Sequence, residues 1–239
     1  MPEPLLVALE TATPRVSVAL LRGGTILEEV RAPADAPAAE TLLPALDQLL
    51  RGAGVGIEAV EAWAVSVGPG SFTGLRIGIA TLKGLAFGYR APAVAVPTLA
   101  ALARAAGDCA TPVVGLLDAR RGEVYAAAWT QAGQQPHACL PEGIYEAGAL
   151  VERLPDDAVL VGEAAVLLGE ALGSRPHRGL RLIPPPHGEP SARYVGALGA
   201  ELFARGRVVA AEDLIPTYGR RAQAEVKRDA LSPGSAPRA

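Results

Sequence analysis

The 239-residue sequence predicts an α/β fold built twice over, with the order β-β-β-α-β-α-β-α running through each half. Three observations carry that reading. Each half opens on three short apolar runs separated by turns. Helical periodicity then alternates with brief strand-like runs. Half of all residues are hydrophobic, which is enough for a sizeable core in a chain of this length. Sequence similarity between the halves is negligible, so the repeat rests on element order alone.

Residues 5–10, 16–21 and 25–30 form the first three runs, joined through Thr11, Ala12, Thr13, Pro14 and Arg15 and then through Arg22, Gly23 and Gly24. Such spacing predicts an antiparallel meander. A Pro/Ala-rich connection leads into a helix over 40–51, where Leu42, Leu43, Leu46, Leu49 and Leu50 recur at three- and four-residue intervals. A buried strand is predicted at 62–67, a helix at 71–89, a short strand at 93–96 and a helix at 98–106. The second half repeats the order. Strands are predicted at 112–118, 123–130 and, more weakly, 137–140, and helices at 146–154, 164–172 and 191–205, with strands at 158–161 and 180–183 between them.

Two successive units with a βββαβα core predict the duplicated, two-lobed fold shared by actin, sugar kinases and Hsp70 ATPase domains (the ASKHA, or ribonuclease H-like, group). This is an analogy of fold, and the fold hosts both active kinases and inert relatives. It divides the chain into an N-terminal lobe (1–106), a C-terminal lobe (107–217) and a basic tail (218–239). The tail carries Arg220, Arg221, Lys227, Arg228 and Arg238 against Glu225 and Asp229, a net charge of +3. That balance leaves an RNA contact open beside the plainer reading of a solvated tail.

Charge narrows the function. With 22 basic and 25 acidic residues, the net charge of −3 argues against a protein that grips nucleic acid over a broad surface. Cys109 and Cys139 are too few and too separated for a disulfide framework or a metal signature, so a cytoplasmic location is expected. No signal peptide is evident. The longest uncharged stretch, 124–141, is too polar to span a membrane. His137, His177 and His187 are isolated from one another, and no histidine-based metal site is expected. No nucleophile elbow or Cys–His arrangement is visible, so no catalytic residue is assigned and a peptidase reading has no support.

The densest motif is Gly68-Pro69-Gly70-Ser71-Phe72-Thr73-Gly74-Leu75-Arg76-Ile77-Gly78. It leaves a strand, turns on two glycines and enters a helix with Ser71 as N-cap. N–H groups at such a helix start can hold an anion, so Gly68, Gly70 and Ser71 are candidates for a phosphate cradle. A tight strand-to-helix turn explains the spacing equally well. The motif is neither a Walker A loop nor a dinucleotide fingerprint. Glu10 and Thr11, at the first turn, occupy places where actin-like kinases put an acidic residue and hydroxyls. Asp118 opens the equivalent turn of the second half, ahead of Arg120, Arg121, Gly122 and Glu123. All three are weak candidates for a nucleotide site, with plain polar turns as the alternative. On the helix that follows, Phe72, Leu75, Ile79 and Leu82 form one apolar stripe. Four glycines (Gly74, Gly78, Gly84, Gly88) are unfavourable in a helix without a packing reason. The stripe is read either as core or, with Leu42, Leu46 and Leu49 of the neighbouring helix, as an interface with another chain.

Together with the run from Asp118 to Tyr125, the motif Gly68–Gly78 resembles the TsaB (YeaZ) family, the bacterial partner subunit in threonylcarbamoyladenosine (t6A) biosynthesis on tRNA. The similarity starts at Glu10-Thr11-Ala12-Thr13, includes Leu42-Leu43-Pro44 and ends at Pro216-Thr217-Tyr218-Gly219-Arg220. The resemblance implies a non-catalytic scaffold of actin-like fold. Such a chain would activate the paralogous TsaD-type transferase, which moves a threonylcarbamoyl group to adenosine 37 of tRNA. It also implies a homodimer when alone, joined through helices near the N-terminus, a TsaE-type ATPase in the assembly, and tRNA met only indirectly. No cofactor is implied for the chain on its own; ATP or ADP would sit at the junction with its partner. Two positions depart from the family pattern: Glu10 stands where Asp is usual, and Ala38-Ala39-Glu40 replaces a histidine before the first helix. The rival reading is an actin-fold ATPase or phosphotransferase with its own nucleotide site.

Overall fold

The computed structural model describes residues 3–33, 36–130, 137–173 and 179–217. Strands β1 (Leu5–Glu10), β2 (Ser17–Arg22) and β3 (Thr25–Arg31) make the expected meander. Helix α1 (Ala38–Gly52) returns the chain to β4 (Ala62–Gly68), which pairs parallel with β1, and α2 (Phe72–Tyr89) returns it to β5 (Ala93–Pro97). Helix α3 (Thr98–Ala103) then leads out of the first sheet, whose order is β3-β2-β1-β4-β5. The second half runs β6 (Val113–Arg120), β7 (Glu123–Thr130), β8 (His137–Glu146), α4 (Ala147–Val151) and β9 (Val159–Val161). A 3₁₀ helix over Glu163–Leu168 continues into α5 (Gly169–Gly173), followed by β10 (Arg181–Ile183) and α6 (Ala192–Ala204). Its sheet order, β8-β7-β6-β9-β10, repeats the first strand for strand.

Local chemistry accounts for the elements. Strand β1 is buried along its whole length, and both of its neighbours carry apolar side chains on both faces, the pattern of a central strand. Two elements differ from expectation. The weak strand around 137–140 extends to Glu146, leaving α4 only five residues. Pro141 is tolerated inside β8 because that strand lies at the sheet edge and pairs only with β7. The helix expected over 164–172 is instead 3₁₀ and then α, where Gly169 and Gly173 weaken helix propensity.

The two units exchange their last helices. The outer face of the first sheet is covered by α1 and α2. Its inner face is covered by α6, whose Ala192 and Val195 pack on Leu6, Ala8, Leu21 and Ala64. Reciprocally, Leu99, Leu102 and Ala103 of α3 pack on Val113, Leu117, Val159 and Val161 of the second sheet. The two exchanged helices meet, and Arg104 and Glu201 pair at 2.7 Å across that contact. A C-terminal lobe drawn over 107–217 therefore gives its last helix to the N-terminal sheet. The tail, 218–239, lies outside the described residues.

Candidate functional site

At the C-terminal ends of β1 and β4, two turns close on each other. Ser71 caps α2 as expected, its Oγ accepting the Gly74 N–H at 3.2 Å. The Ser71 N–H, however, donates to the Ala12 carbonyl at 2.6 Å, and the Gly68 N–H donates to Thr98 Oγ1 at 3.1 Å. The first turn lies directly on α2: a Cβ at Gly74 or Gly78 would collide with Thr11, and one at Gly70 with Ala12. Thr217 closes over Gly68 from the other side, its N–H bonded to the Val67 carbonyl at 2.6 Å. The glycines thus serve close approach of the chain to itself. Gly68, Gly70 and Ser71 do not form an open phosphate cradle, because Thr11, Ala12 and Thr217 fill the space in front of them.

Glu10 and Thr11 point to opposite sides of the sheet. Thr11 is fully buried against Gly78, and its hydroxyl has no hydrogen-bond partner among the described residues. Glu10, 1% exposed, accepts the Ala12 N–H at 2.5 Å and is hydrogen-bonded by Ser66. Burial pushes its carboxyl up to about 7, against the lowering effect of those two hydrogen bonds, and Glu163 adds a like charge. Asp118 is committed to its own turn. Its carboxylate accepts the Arg120 N–H at 2.6 Å and pairs with the Arg120 guanidinium at 3.2 Å, while Arg120, Arg121 and Gly122, all with positive φ, reverse the chain into β7. Glu163 is raised by burial and then by Asp118 and Glu189, with Arg120 opposing. Glu163 thus lies within electrostatic reach of Glu10, Asp118 and Glu189, carboxylates drawn from both halves. Sequence reasoning missed Glu163, Glu189 and Ser66, which stand in no motif. Among the described residues no group of three or more His, Cys, Asp and Glu side chains is arranged to hold a metal ion. His177 lies outside those residues.

Of the two readings of the apolar stripe, core and partner interface, burial within this chain decides for core. Leu42, Leu46, Leu49, Leu75, Ile79 and Leu82 are each at most 4% exposed, and all except Leu75 belong to the cluster between α1, α2 and the first sheet. Only Phe72 is half-exposed, with Arg76 stacked over its ring at 3.8 Å. The periodicity was real; the surface it covers belongs to the same chain. The opposite face of α2 is different. Thr73, Ala80, Gly84, Phe87 and Gly88 are exposed, nothing lies within 4 Å of where a Cβ would stand on Gly84 or Gly88, and Phe87 is 80% exposed. Leu43 of α1 is also exposed, at 54%. Of the four helix glycines, two fit the chain's own turn and two face outward.

Two five-stranded mixed sheets of matching strand order with exchanged helices define the actin-like, two-lobed α/β class. The ethanolamine utilization protein EutJ from Carboxydothermus hydrogenoformans shares the fold at 13% identity, with a TM-score of 0.52 over 83% of this chain and 91% of that one. YeaZ from Pseudomonas aeruginosa superposes with a TM-score of 0.74 at 32% identity, over 90% of this chain and 99% of the other. In sequence, the tRNA threonylcarbamoyladenosine biosynthesis protein TsaB of Escherichia coli K12 is 34% identical over 229 residues, 90% of this chain and 94% of that protein. The family model of TsaD, tRNA N6-adenosine threonylcarbamoyltransferase, matches residues 33–161. The chain belongs to the TsaB (YeaZ) family.

Proposed function

We infer that this chain serves t6A formation on tRNA as a non-catalytic subunit, which binds and steadies a TsaD-type transferase. The observation that carries this reading is the outward face of α2. A helix showing Ala80, Gly84 and Gly88 beside an 80% exposed Phe87, with Leu43 on the neighbouring helix, suits close packing by a helix of another chain. Apolar side chains this exposed gain about 25 cal/mol per Å² when covered, of which association entropy consumes a large part. The same face would join two copies when the transferase is absent. A TsaE-type ATPase would join the assembly, nucleotide would bind at the junction between chains, and tRNA would be met through the partner. The reading places the protein in the cytoplasm, and among the described residues no helix is long and apolar enough to cross a membrane.

The experiment is size exclusion of the full chain with its transferase. Phe87→Asp and Gly84→Glu are expected to leave a folded chain that no longer co-elutes. Co-elution of both folded variants with the transferase overturns the assignment. ATP turnover by the purified chain alone, abolished by Asp118→Ala, favours the rival phosphotransferase reading instead.

A further inference from the structure

Helix α6 begins without a cap of its own. The first N–H groups of a helix have no intrahelical acceptor, and a serine just before the first turn normally answers one of them. Ser191 stands at that place but makes no such bond. Its hydroxyl donates instead to the Glu29 carboxylate on β3, 162 residues away in sequence. The acceptors for the helix come from the first sheet. Ser17 Oγ accepts the Ala192 N–H at 2.8 Å, and the Glu29 carboxylate accepts the Arg193 N–H at 3.4 Å. The positive end of the helix dipole further favours a carboxylate there.

Little water reaches this contact. Ser17 and Ser191 are 2% and 1% exposed, and the Glu29 side chain is 12% exposed. Arg31 and Arg193 flank the carboxylate at 3.4 and 3.8 Å, and Arg15 holds Glu189, just ahead of the helix, at 3.4 Å. Strand register gathers the acceptors. Ser17 lies opposite Arg31 and Ala19 opposite Glu29, so all four share the sheet face that α6 covers.

Beyond its first turn the seat of α6 is smooth. Ala192, Gly196 and Gly199 lie towards the strands, and a Cβ on either glycine would collide with Leu21 or Ala64. Such small residues let the helix lie close but do little to resist its sliding. Polar groups satisfied at only one position fix a register to which apolar area is nearly indifferent.

We propose that Ser17 and Glu29 form a clasp that fixes where α6 sits on the first sheet. A slip of one residue, about 1.5 Å of rise, takes both N–H groups away from their acceptors inside a nearly dry contact. Both gripped donors on α6 are backbone N–H groups, so the seat is chosen by the sheet rather than by the helix side chains. Helix α6 also touches α3, the helix that covers the second sheet. Its seat therefore sets how the two sheets face each other.

Urea unfolding of the full chain tests this. Ser17→Ala combined with Glu29→Ala is expected to lower the folding constant about 10–100-fold. The decisive reading is the cost of Gly199→Ala, whose new Cβ meets Ala64. That cost is expected to be about tenfold in the clasped chain and under about threefold in the unclasped chain, where the helix is free to shift. Equal costs in the two backgrounds overturn the proposal, as does an unclasped chain of unchanged stability. Should the double variant not fold, hydrogen exchange on the unaltered chain gives a second reading. The amides of Ala192 and Arg193 are expected to exchange as slowly as those in the middle of α6. Exchange at the rate of an open helix end overturns the clasp.

Discussion

Glu10 gives the molecule a pH dependence that can be worked out in sign. Its carboxyl titrates near 7 in the folded chain, against an ordinary value of 4.5, because burial outweighs the bonds from Ala12 and Ser66. The folded state therefore holds the proton more tightly than the unfolded state. The stabilisation is complete below pH 4.5, is lost as pH rises towards about 7, and changes no further above that. Glu10→Gln is expected to flatten the stability profile over that window and to raise stability at pH 8, as read by urea unfolding at several pH values. A steeper profile in the variant would contradict the assignment. The helix glycines separate just as cleanly. Gly78→Ala forces a Cβ into Thr11 and is expected to cost about 1–3 kcal/mol, whereas Gly84→Ala meets open space and is expected to add about 0.5–1 kcal/mol to the folded monomer. Denaturant midpoints of the two variants should move in opposite directions. All four glycines were conspicuous in the sequence. Which two face the chain itself was not legible, because the answer depends on a turn sixty residues earlier.

At the scale of elements, α2 shows what periodicity can and cannot carry. Its apolar stripe predicted a helix and the Gly-Pro-Gly-Ser turn its N-cap at Ser71, and α2 runs Phe72–Tyr89 from that cap. The stripe did not reveal whose surface would cover it, since a core and an interface impose the same spacing. Burial decides for the core. Leu75→Asp or Ile79→Asp is expected to unfold the chain, and Leu82→Ala to cost about 2–5 kcal/mol, with circular dichroism and thermal midpoints as the readout. Folded, soluble aspartate variants would return the stripe to the surface. The exposed face carrying Phe87 was harder to see because a single aromatic among small residues has no period. The carboxylates around Glu163 were invisible for a related reason. Glu163 and Glu189 sit in unremarkable local sequence, and only the return of β9 brings Glu163 to Glu10 and Asp118, and the approach to α6 brings Glu189 to Glu163.

Across the whole molecule, the repeated element order was legible and the sheet orders match it strand for strand. The exchange of α3 and α6 was not. Both helices are apolar enough to cover either sheet, and nothing in their own residues names the sheet they cover. The exchange makes the two halves one thermodynamic unit: each sheet lacks an inner layer unless the other half is folded. A fragment of residues 1–106 is expected to be insoluble on its own, with Leu6, Ala8, Leu21 and Ala64 uncovered. The full chain is expected to unfold in one transition, with calorimetric and van't Hoff enthalpies in agreement. Two separated transitions would show that the exchanged helices contribute little.

The exchange also sets an order of completion during synthesis. Strands β1 to β5 have been synthesised by residue 97, yet the helix that covers their inner face is finished only at Ala204. For roughly a hundred residues of elongation the first sheet exists with one apolar side bare. Helix α3 waits in the same way for the sheet it will cover. A chain organised like this reaches its native state in a single step once α6 has been made, and until then it depends on whatever the cell provides to shield a half-built core.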